Sequence, residues 1–268
     1  MIRNNLKTLL MAVVGVSSLV CGHLHAQTVA EPKLSVYDFR DQSCVNSLSD
    51  NGQWMVTYGT SATDGSRYTN ARVTNVLTGE STVLGLEEDA ETPLACTADD
   101  VANNGMVAGS YKGVPSVWTK DGGWKNLPIQ TGWTSGGAMA ITPDGHWAVG
   151  YMHSYLSGAE NYGEYPMLWD LTTMQAVETP GRPTVGSANE TARMVRYTGI
   201  SADGRYIIGT VDFSYTWNTL EFIYDRQTEK YSQIGFNADG TPWTPLLLGA
   251  NGIFSPNGKW LAGCAVLQ

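Results

Sequence analysis

One pattern of apolar and polar positions recurs five times along the chain. Each copy has an apolar start, a step rich in Ser, Thr, Asp and Ala, then Asn-Gly or Asp-Gly, and an apolar stretch that ends in glycine. The copies are SLSDNGQWMVTYG (47–59), DVANNGMVAG (100–109), AITPDGHWAVG (140–150), ISADGRYIIG (200–209) and IFSPNGKWLAG (253–263). Their turn glycines are 40 to 59 residues apart. A repeat of this length is typical of propellers and solenoids, so it decides the fold class.

Each copy predicts a β-hairpin. Asn-Gly and Asp-Gly supply the positive φ that a tight turn between twisted strands requires. The residues that follow the turn alternate or run apolar, as in Tyr206-Ile207-Ile208, which is typical of a buried strand.

A second apolar element and a further short strand follow each of the first four hairpins. The second elements are Ala71–Leu77, Ser116–Trp118, Pro166–Asp170 and Leu220–Asp225. This gives four short antiparallel strands per unit, and such units form the blades of a β-propeller. The sequence therefore predicts an all-β propeller of four-stranded antiparallel blades, with four complete repeats and a partial fifth.

The repeats resemble those of a known family. SPNGKWLAG and SADGRYIIG resemble the repeats of TolB-type (PD40) propellers, and PMLWD at 166–170 resembles secreted bacterial propeller repeats. Trp169-Asp170 is similar to the end of a WD40 unit, but the Gly-His partner of that signature is missing. The resemblance covers about 47–268 and implies a fold that serves binding proteins, peptidase gates and envelope scaffolds alike.

The fifth unit stops after its second strand, at Cys264-Ala265-Val266-Leu267-Gln268. A sheet that ends there has an unpaired edge, which natural sheets avoid. Lys33–Phe39 could add one strand by ring closure, yet the blade would still be short. We therefore expect the propeller domain, 27–268, to be the N-terminal part of a longer natural product.

Residues 1–26 predict a secretory signal peptide. A basic start with Arg3 and Lys7 leads into an apolar run, Leu9–Val20, and then into a cleavage site ending at Ala26. The run is too short to span a bilayer, and no later run approaches that length. Acylation of Cys21 as a lipoprotein is the alternative, which Ser18-Leu19-Val20 fits poorly. The signal resembles export signals common in Bacteroidetes, so we expect a periplasmic or extracellular protein.

Composition excludes several classes of function. The 268 residues include 16 basic and 25 acidic ones, a net charge of -9, and no cluster of Lys or Arg that could neutralise phosphates. Nucleic acid is therefore not an expected partner. Only 15% of residues are charged, against about 25% in a typical globular chain, which disfavours long surface helices. Cys44, Cys96 and Cys264 follow the signal; they could form one disulfide and one thiol, or all three could be small buried residues.

The sequence shows no catalytic motif, and we expect neither a cofactor nor a metal. His146 and His153 are the two histidines after the signal, and His146 follows a turn where other copies have Gln, Met, Arg or Lys. No Gly-x-Ser-x-Gly elbow occurs in 27–268, and no His and Cys stand at zinc-ligand spacing. The expected protein is therefore not an enzyme.

The loops predict a binding surface. In a four-stranded blade, the loops between strands two and three share one end with the connections between blades. Here both are long: the loops are 60–69, 153–164 and 212–219, and the connections are 131–137, 179–196 and 236–250. We call this end the long-loop end, and the opposite one the tight-turn end. Long aromatic loops are where such scaffolds bind ligands. The candidates are Trp133, Tyr155, Tyr162, Arg193, Arg196, Tyr215, Trp217 and Trp243. Alternatively, several of these rings only cap the blades.

We therefore expect an exported, non-catalytic binding or scaffold module for a protein, peptide or glycan. The alternative is an N-terminal propeller that gates a larger secreted hydrolase similar to prolyl oligopeptidase, whose catalytic domain is outside this chain. A third interpretation is an envelope assembly partner, as the resemblance to TolB implies.

Overall fold

The computed structural model describes residues 44–59, 69–85, 96–154, 163–181, 194–212, 219–233, 246–255, 257 and 259–267. The chain divides into two compact units, Met1–Asp38 and Phe39–Gln268. The first unit, with the expected cleavage site after Ala26, lies outside the described residues, and so does the segment Lys33–Phe39. Within the described ranges the chain forms no helix long and apolar enough to cross a bilayer.

The described residues form eighteen β-strands, which make four complete blades and one hairpin. Blade 1 is β1 (Cys44–Leu48), β2 (Trp54–Gly59), β3 (Thr69–Asn75) and β4 (Ser81–Val83); blade 2 is β5 (Cys96–Val101), β6 (Val107–Tyr111), β7 (Val114–Thr119) and β8 (Gly123–Asn126). Blade 3 is β9 (Ser135–Ile141), β10 (Trp147–Ser154), β11 (Gly163–Asp170) and β12 (Gln175–Val177); blade 4 is β13 (Met194–Ile200), β14 (Tyr206–Asp212), β15 (Thr219–Asp225) and β16 (Lys230–Gln233). The hairpin is β17 (Leu246–Phe254) and β18 (Leu261–Leu267).

Each blade is an antiparallel meander in which consecutive strands pair. A single parallel pair, Glu164 with Met194, joins blade 3 to blade 4. The all-β propeller fold, with four complete blades and a partial fifth, confirms the sequence prediction.

The hydrophobic core lies between the faces of successive blades. Three clusters fill the interfaces between blades 1 and 2, 2 and 3, and 3 and 4. Val56, Trp169 and Tyr197 are fully buried in them, one in each. Since a single blade cannot cover both of its faces, the blades stabilise one another.

At the tight-turn end, aromatic side chains pack blade 1 against blade 2 and blade 3 against blade 4, whereas the Gly145 turn of blade 3 faces Asn104 of blade 2. A Cβ on Gly105 would lie 3.0 Å from Cε2 of Trp54, and one on Gly204 would lie 2.7 Å from Cδ1 of Trp147. Gly105 and Gly204 therefore have two roles. Each adopts the positive φ of the turn, and each leaves room for an aromatic ring of the preceding blade.

The strands run further towards the long-loop end than the sequence predicted. The connections expected over 131–137 and 179–196 end earlier, since Ser135 begins β9 and Arg196 lies within β13. The loop expected over 153–164 is also shorter, because β10 extends to Ser154 and β11 begins at Gly163. The alternating apolar pattern ends before the strands do, because the last residues of these strands are polar. His153 of β10, for example, is paired with Ser135 of β9 and with Glu164 of β11.

Cys96 is a buried free thiol, and burial raises its pKa to about 11. For this cysteine the structure agrees with the interpretation as a small buried residue. The side chains of Cys44 and Cys264 lie outside the described part.

Substitutions at two turn glycines can distinguish the free-energy cost of a positive φ from the cost of a steric clash. Gly52 and Gly204 have φ of +69° and +71°, but no atom lies within 4 Å of a Cβ placed on Gly52. We expect Gly52→Ala to lower the free energy of unfolding by about 1 kcal/mol, from backbone strain alone. Gly204→Ala should cost about 3 kcal/mol, because the methyl group also collides with Trp147. Urea unfolding of both variants measures the difference, and equal losses would contradict the packing role of Gly204.

Candidate functional site

A channel runs between the first strands of the blades and the hairpin. Its cavity measures about 340 Å³, and residues of β1, β5, β9, β13 and β17 all line it. A β-bulge in the first strand of each complete blade leaves one residue unpaired with the second strand: Asn46, Asp99, Met139 and Thr198. All four line the channel. Bulges of this kind re-aim a side chain, and here they direct one per blade inwards.

The blade 1 and blade 2 side of the channel is acidic, with Asp50, Asp99 and Asp100. Burial and the charge of Asp100 raise the pKa of Asp99 to about 6, while hydrogen bonds from Thr97 and Asn46 lower it in part. Within the described ranges, no three His, Cys, Asp or Glu side chains are grouped so that they could hold a metal ion. The repeat alignment could have indicated this wall, since Asp100 stands where blade 3 has Ala140 and blade 4 has Gly199.

Asp100 links three blades. Its Oδ1 accepts hydrogen bonds from Ser47 Oγ (2.6 Å) of blade 1 and from the Val101 amide (2.9 Å). Its Oδ2 accepts one from the Ile141 amide (2.9 Å) of blade 3. Burial raises the pKa of Asp100, and these three donors oppose the shift. Asp100 therefore has a structural role at the channel.

A polar cluster lies between blades 3 and 4 at the long-loop end. Ser135, His153 and Glu164 stand in one cross-strand row of blade 3. Ser135 Oγ is 2.7 Å from His153 Nε2. Burial lowers the pKa of His153, and Arg196 lowers it further, while Glu164 opposes the shift. His153 is therefore neutral at pH 7, and a hydrogen bond joins its Nε2 to Ser135 Oγ.

Arg196 completes this cluster from blade 4. Its Nε and Nη2 donate to the two carboxylate oxygens of the buried Glu164. Its guanidinium carbon lies 4.4 Å from the ring centroid of Tyr151, and Tyr151 stacks on His153 with centroids 5.8 Å apart. The Arg196 side chain is still 38% exposed. The result is a partly exposed guanidinium that lies over an aromatic ring, which we call the Arg196–Tyr151 platform.

Trp133 lies on the other face of blade 3. Its ring contacts Tyr165 at 5.9 Å between centroids, and both pack against the cluster between blades 2 and 3. Tyr165 and Glu164 are neighbours on β11, so their side chains point to opposite faces. The structure therefore does not bring Trp133 and Arg196 together, and the packing of Trp133 favours the alternative in which this ring caps the blade.

The other six predicted site residues lie outside the described part of the chain: Tyr155, Tyr162, Arg193, Tyr215, Trp217 and Trp243. Sequence analysis missed Ser135, Tyr151, His153 and Glu164 as parts of one cluster. No local motif marks them, because only the register of three strands brings them together.

No family model and no curated protein matches the chain. Among solved structures it is similar to TolB from Acinetobacter baumannii, with a TM-score of 0.51 and 17% identity over 82% of this chain and 48% of that one. It is also similar to the Dos1 propeller, with a TM-score of 0.46 and 12% identity over 85% of this chain and 56% of that one. The chain thus spans about half the length of the TolB structure. The fold is a TolB-like β-propeller.

Glu221 is a buried carboxyl near the start of β15. It is 4% exposed, and its Oε1 has no hydrogen-bond partner in the described part of the chain. Burial raises its pKa from an ordinary 4.5 to about 7. The folded protein therefore holds this proton more tightly than the unfolded chain, and the stability gained below about pH 4.5 is lost as the pH rises to about 7.

We predict that Glu221→Gln reduces the fall in stability between pH 5 and pH 8 by about 2 to 3 kcal/mol. Urea unfolding of both proteins at the two pH values measures this. Glu80→Gln, at an exposed position paired with Lys120, should keep the wild-type pH dependence. A Glu221→Gln variant that also keeps it would contradict the burial of this proton.

Proposed function

We propose that this protein is an exported, non-catalytic propeller that binds a protein, a peptide or a glycan at its long-loop end. The signal-like pattern of residues 1–26 supports export. A difference between the two ends of the propeller supports binding at the long-loop end. The tight-turn end consists of short turns whose polar groups form hydrogen bonds within the turns and to neighbouring turns.

The Arg196–Tyr151 platform is the observation that carries this proposal. The buried Glu164 fixes the plane of the guanidinium through two hydrogen bonds, so a ligand meets a preorganised surface. Arg196 lies on β13 and Tyr151 on β10, and side chains on paired strands are held more rigidly than side chains on loops. A guanidinium held in one plane beside an aromatic ring suits planar peptide groups and sugar rings.

The arrangement around Ser135 supports binding over catalysis. A serine activated for acyl transfer needs a histidine that a third group orients. Glu164, the carboxylate across from His153, is paired with Arg196, whose charge lowers the pKa of His153 and so disfavours the imidazolium that acyl transfer would form. The Ser135–His153 pair in this cluster serves to hold β9 and β10 together at their ends.

The test is a binding screen of the 27–268 protein against an array of random-sequence peptides and a panel of oligosaccharides. For any ligand found, Arg196→Lys should weaken binding at least about tenfold, because lysine keeps the charge beside Glu164 but loses the planar fork. Trp217→Ala and Tyr155→Ala should weaken binding too. Trp217→Ala and Tyr155→Ala should change the free energy of unfolding by less than about 1 kcal/mol. Arg196→Lys also removes a donor from the buried Glu164, so it should lower the free energy of unfolding by about 1 to 3 kcal/mol, and its binding is measured where the variant is fully folded.

The chain offers a matched control at the tight-turn end. Arg205 also donates two hydrogen bonds to a carboxylate, that of Asp225, both 2.9 Å, and lies 4.7 Å from the Tyr206 ring centroid. Arg205→Lys should leave binding unchanged. Binding that depends on Arg205 and not on Arg196, or ligands insensitive to all the long-loop variants, would overturn the proposed location.

A further inference from the structure

Blade 2 differs from the other complete blades at the long-loop end. Its strands β6 and β7 are joined by Lys112 and Gly113 alone. The corresponding strands of blades 1, 3 and 4 are joined by longer segments, 60–68, 155–162 and 213–218. The positive φ of Lys112 (+52°) and of Gly113 (+78°) closes the blade 2 turn tightly, and both residues are exposed. Blade 2 therefore adds the least chain between its second and third strands, and its turn is accessible to a ligand.

The blade 2 turn is joined directly to blade 3. The Gly113 carbonyl accepts a hydrogen bond from the Gly136 amide of β9 (2.9 Å), and a Cβ placed on Gly113 would lie 4.0 Å from Ser135 Cβ. The neighbouring Thr134 is exposed, and its amide and its Oγ1 both donate to the His153 carbonyl (3.2 and 3.3 Å). The short turn of blade 2 thus lies against the polar cluster of blade 3.

Side-chain contacts continue from this point to the Arg196–Tyr151 platform. Ser135 Oγ is 2.7 Å from His153 Nε2, and the His153 and Tyr151 rings stack with centroids 5.8 Å apart. The Arg196 guanidinium carbon lies 4.4 Å from the Tyr151 centroid. We call this surface, Gly113, Ser135, His153, Tyr151 and Arg196, the polar row. An extended peptide of about five residues covers such a distance, because each residue advances by about 3.3 Å.

The chemistry of the polar row favours a peptide over a glycan. A sugar ring binds well on an exposed aromatic face, but the Arg196 guanidinium lies over the Tyr151 ring. That ring also contacts His153 and the position of Gly137, where a Cβ would lie 3.5 Å from Cε1. Hydroxyl and guanidinium groups follow one another along the row, and such groups pair with the carbonyl and N–H groups of an extended chain.

We propose that the ligand of the Arg196–Tyr151 platform is an extended peptide that crosses the blade 2 turn and follows the polar row to Arg196. This inference rests on the proposed function and specifies the ligand class and the path of the ligand at the same site. The peptide contacts blades 2, 3 and 4 in succession, so its affinity depends on its length. A ligand held by the platform alone would not reach Gly113.

The first test shortens the ligand. The Arg196-dependent peptide of highest affinity from the random-sequence array is truncated from each end in single-residue steps. Fluorescence anisotropy of the labelled peptides then gives each Kd with the 27–268 protein. Affinity should fall at least about tenfold once fewer than about five residues remain. A dipeptide that keeps the full affinity would overturn the proposed path, and Arg196-dependent binding of glycans without any such peptide would overturn the ligand class.

The second test blocks the path at blade 2. Insertion of Gly-Ser-Gly between Lys112 and Gly113 lengthens the turn at little cost in stability. It should weaken binding of the untruncated peptide at least about tenfold, and it should not affect the shortest truncated peptide that still depends on Arg196. The same insertion between Lys120 and Asp121 is the control, because that turn joins β7 and β8 at the tight-turn end of the same blade. The control insertion should leave both affinities unchanged.

Thr134→Trp blocks the row without a change in the turn. Thr134 is exposed, and its amide, which the substitution keeps, donates to the His153 carbonyl. The variant should therefore keep the wild-type unfolding midpoint and weaken binding of the untruncated peptide as the insertion does. If Arg196→Lys weakens binding but neither blocking change does, the path over blade 2 is wrong and the proposed function stands. If no peptide and no glycan depends on Arg196, both proposals fail.

Discussion

The Asp100 carboxylate joins the innermost strands of three blades, and the arrangement of the blades around the channel depends on it. Its donors come from a serine 53 residues earlier and a backbone amide 41 residues later. Burial makes the charge costly, and the raised pKa of this group records that cost. Removing one donor would leave a poorly solvated charge, which is more damaging than the loss of one hydrogen bond. This interaction fixes the relative position of β1, β5 and β9, and with it the acidic side of the channel.

Around that axis, the same contact between an aromatic ring and a turn glycine occurs in two of the three interfaces between complete blades. The turn glycines accept the rings of Trp54 and Trp147 because a glycine has no Cβ there. The long-loop end is built differently, since polar side chains extend blades 3 and 4 beyond their apolar cores.

The sequence was sufficient for the fold, because the information that specifies a hairpin is local. Asn-Gly or Asp-Gly between apolar runs located the first two strands of every blade, and the spacing predicted the propeller. The candidate site was harder, since Ser135, His153, Glu164 and Arg196 meet only through strand register and the packing of two blades. Arg196 stays a predicted binding residue, but its expected place on a connection was wrong, because the pairing of β13 with β14 includes it. Composition could not show that the charge of Arg196 has a buried partner.

The most direct test of the role of Asp100 is amide hydrogen exchange at Ile141, followed by NMR. The Ile141 amide donates to Asp100 and not to a neighbouring strand carbonyl. It should exchange as slowly as amides inside β10, such as that of Val149, and at least about tenfold faster in an Asp100→Ala variant that still folds. An Ile141 amide that exchanges as fast as those of the exposed turn at Gly122 would show that the carboxylate does not hold the blades together.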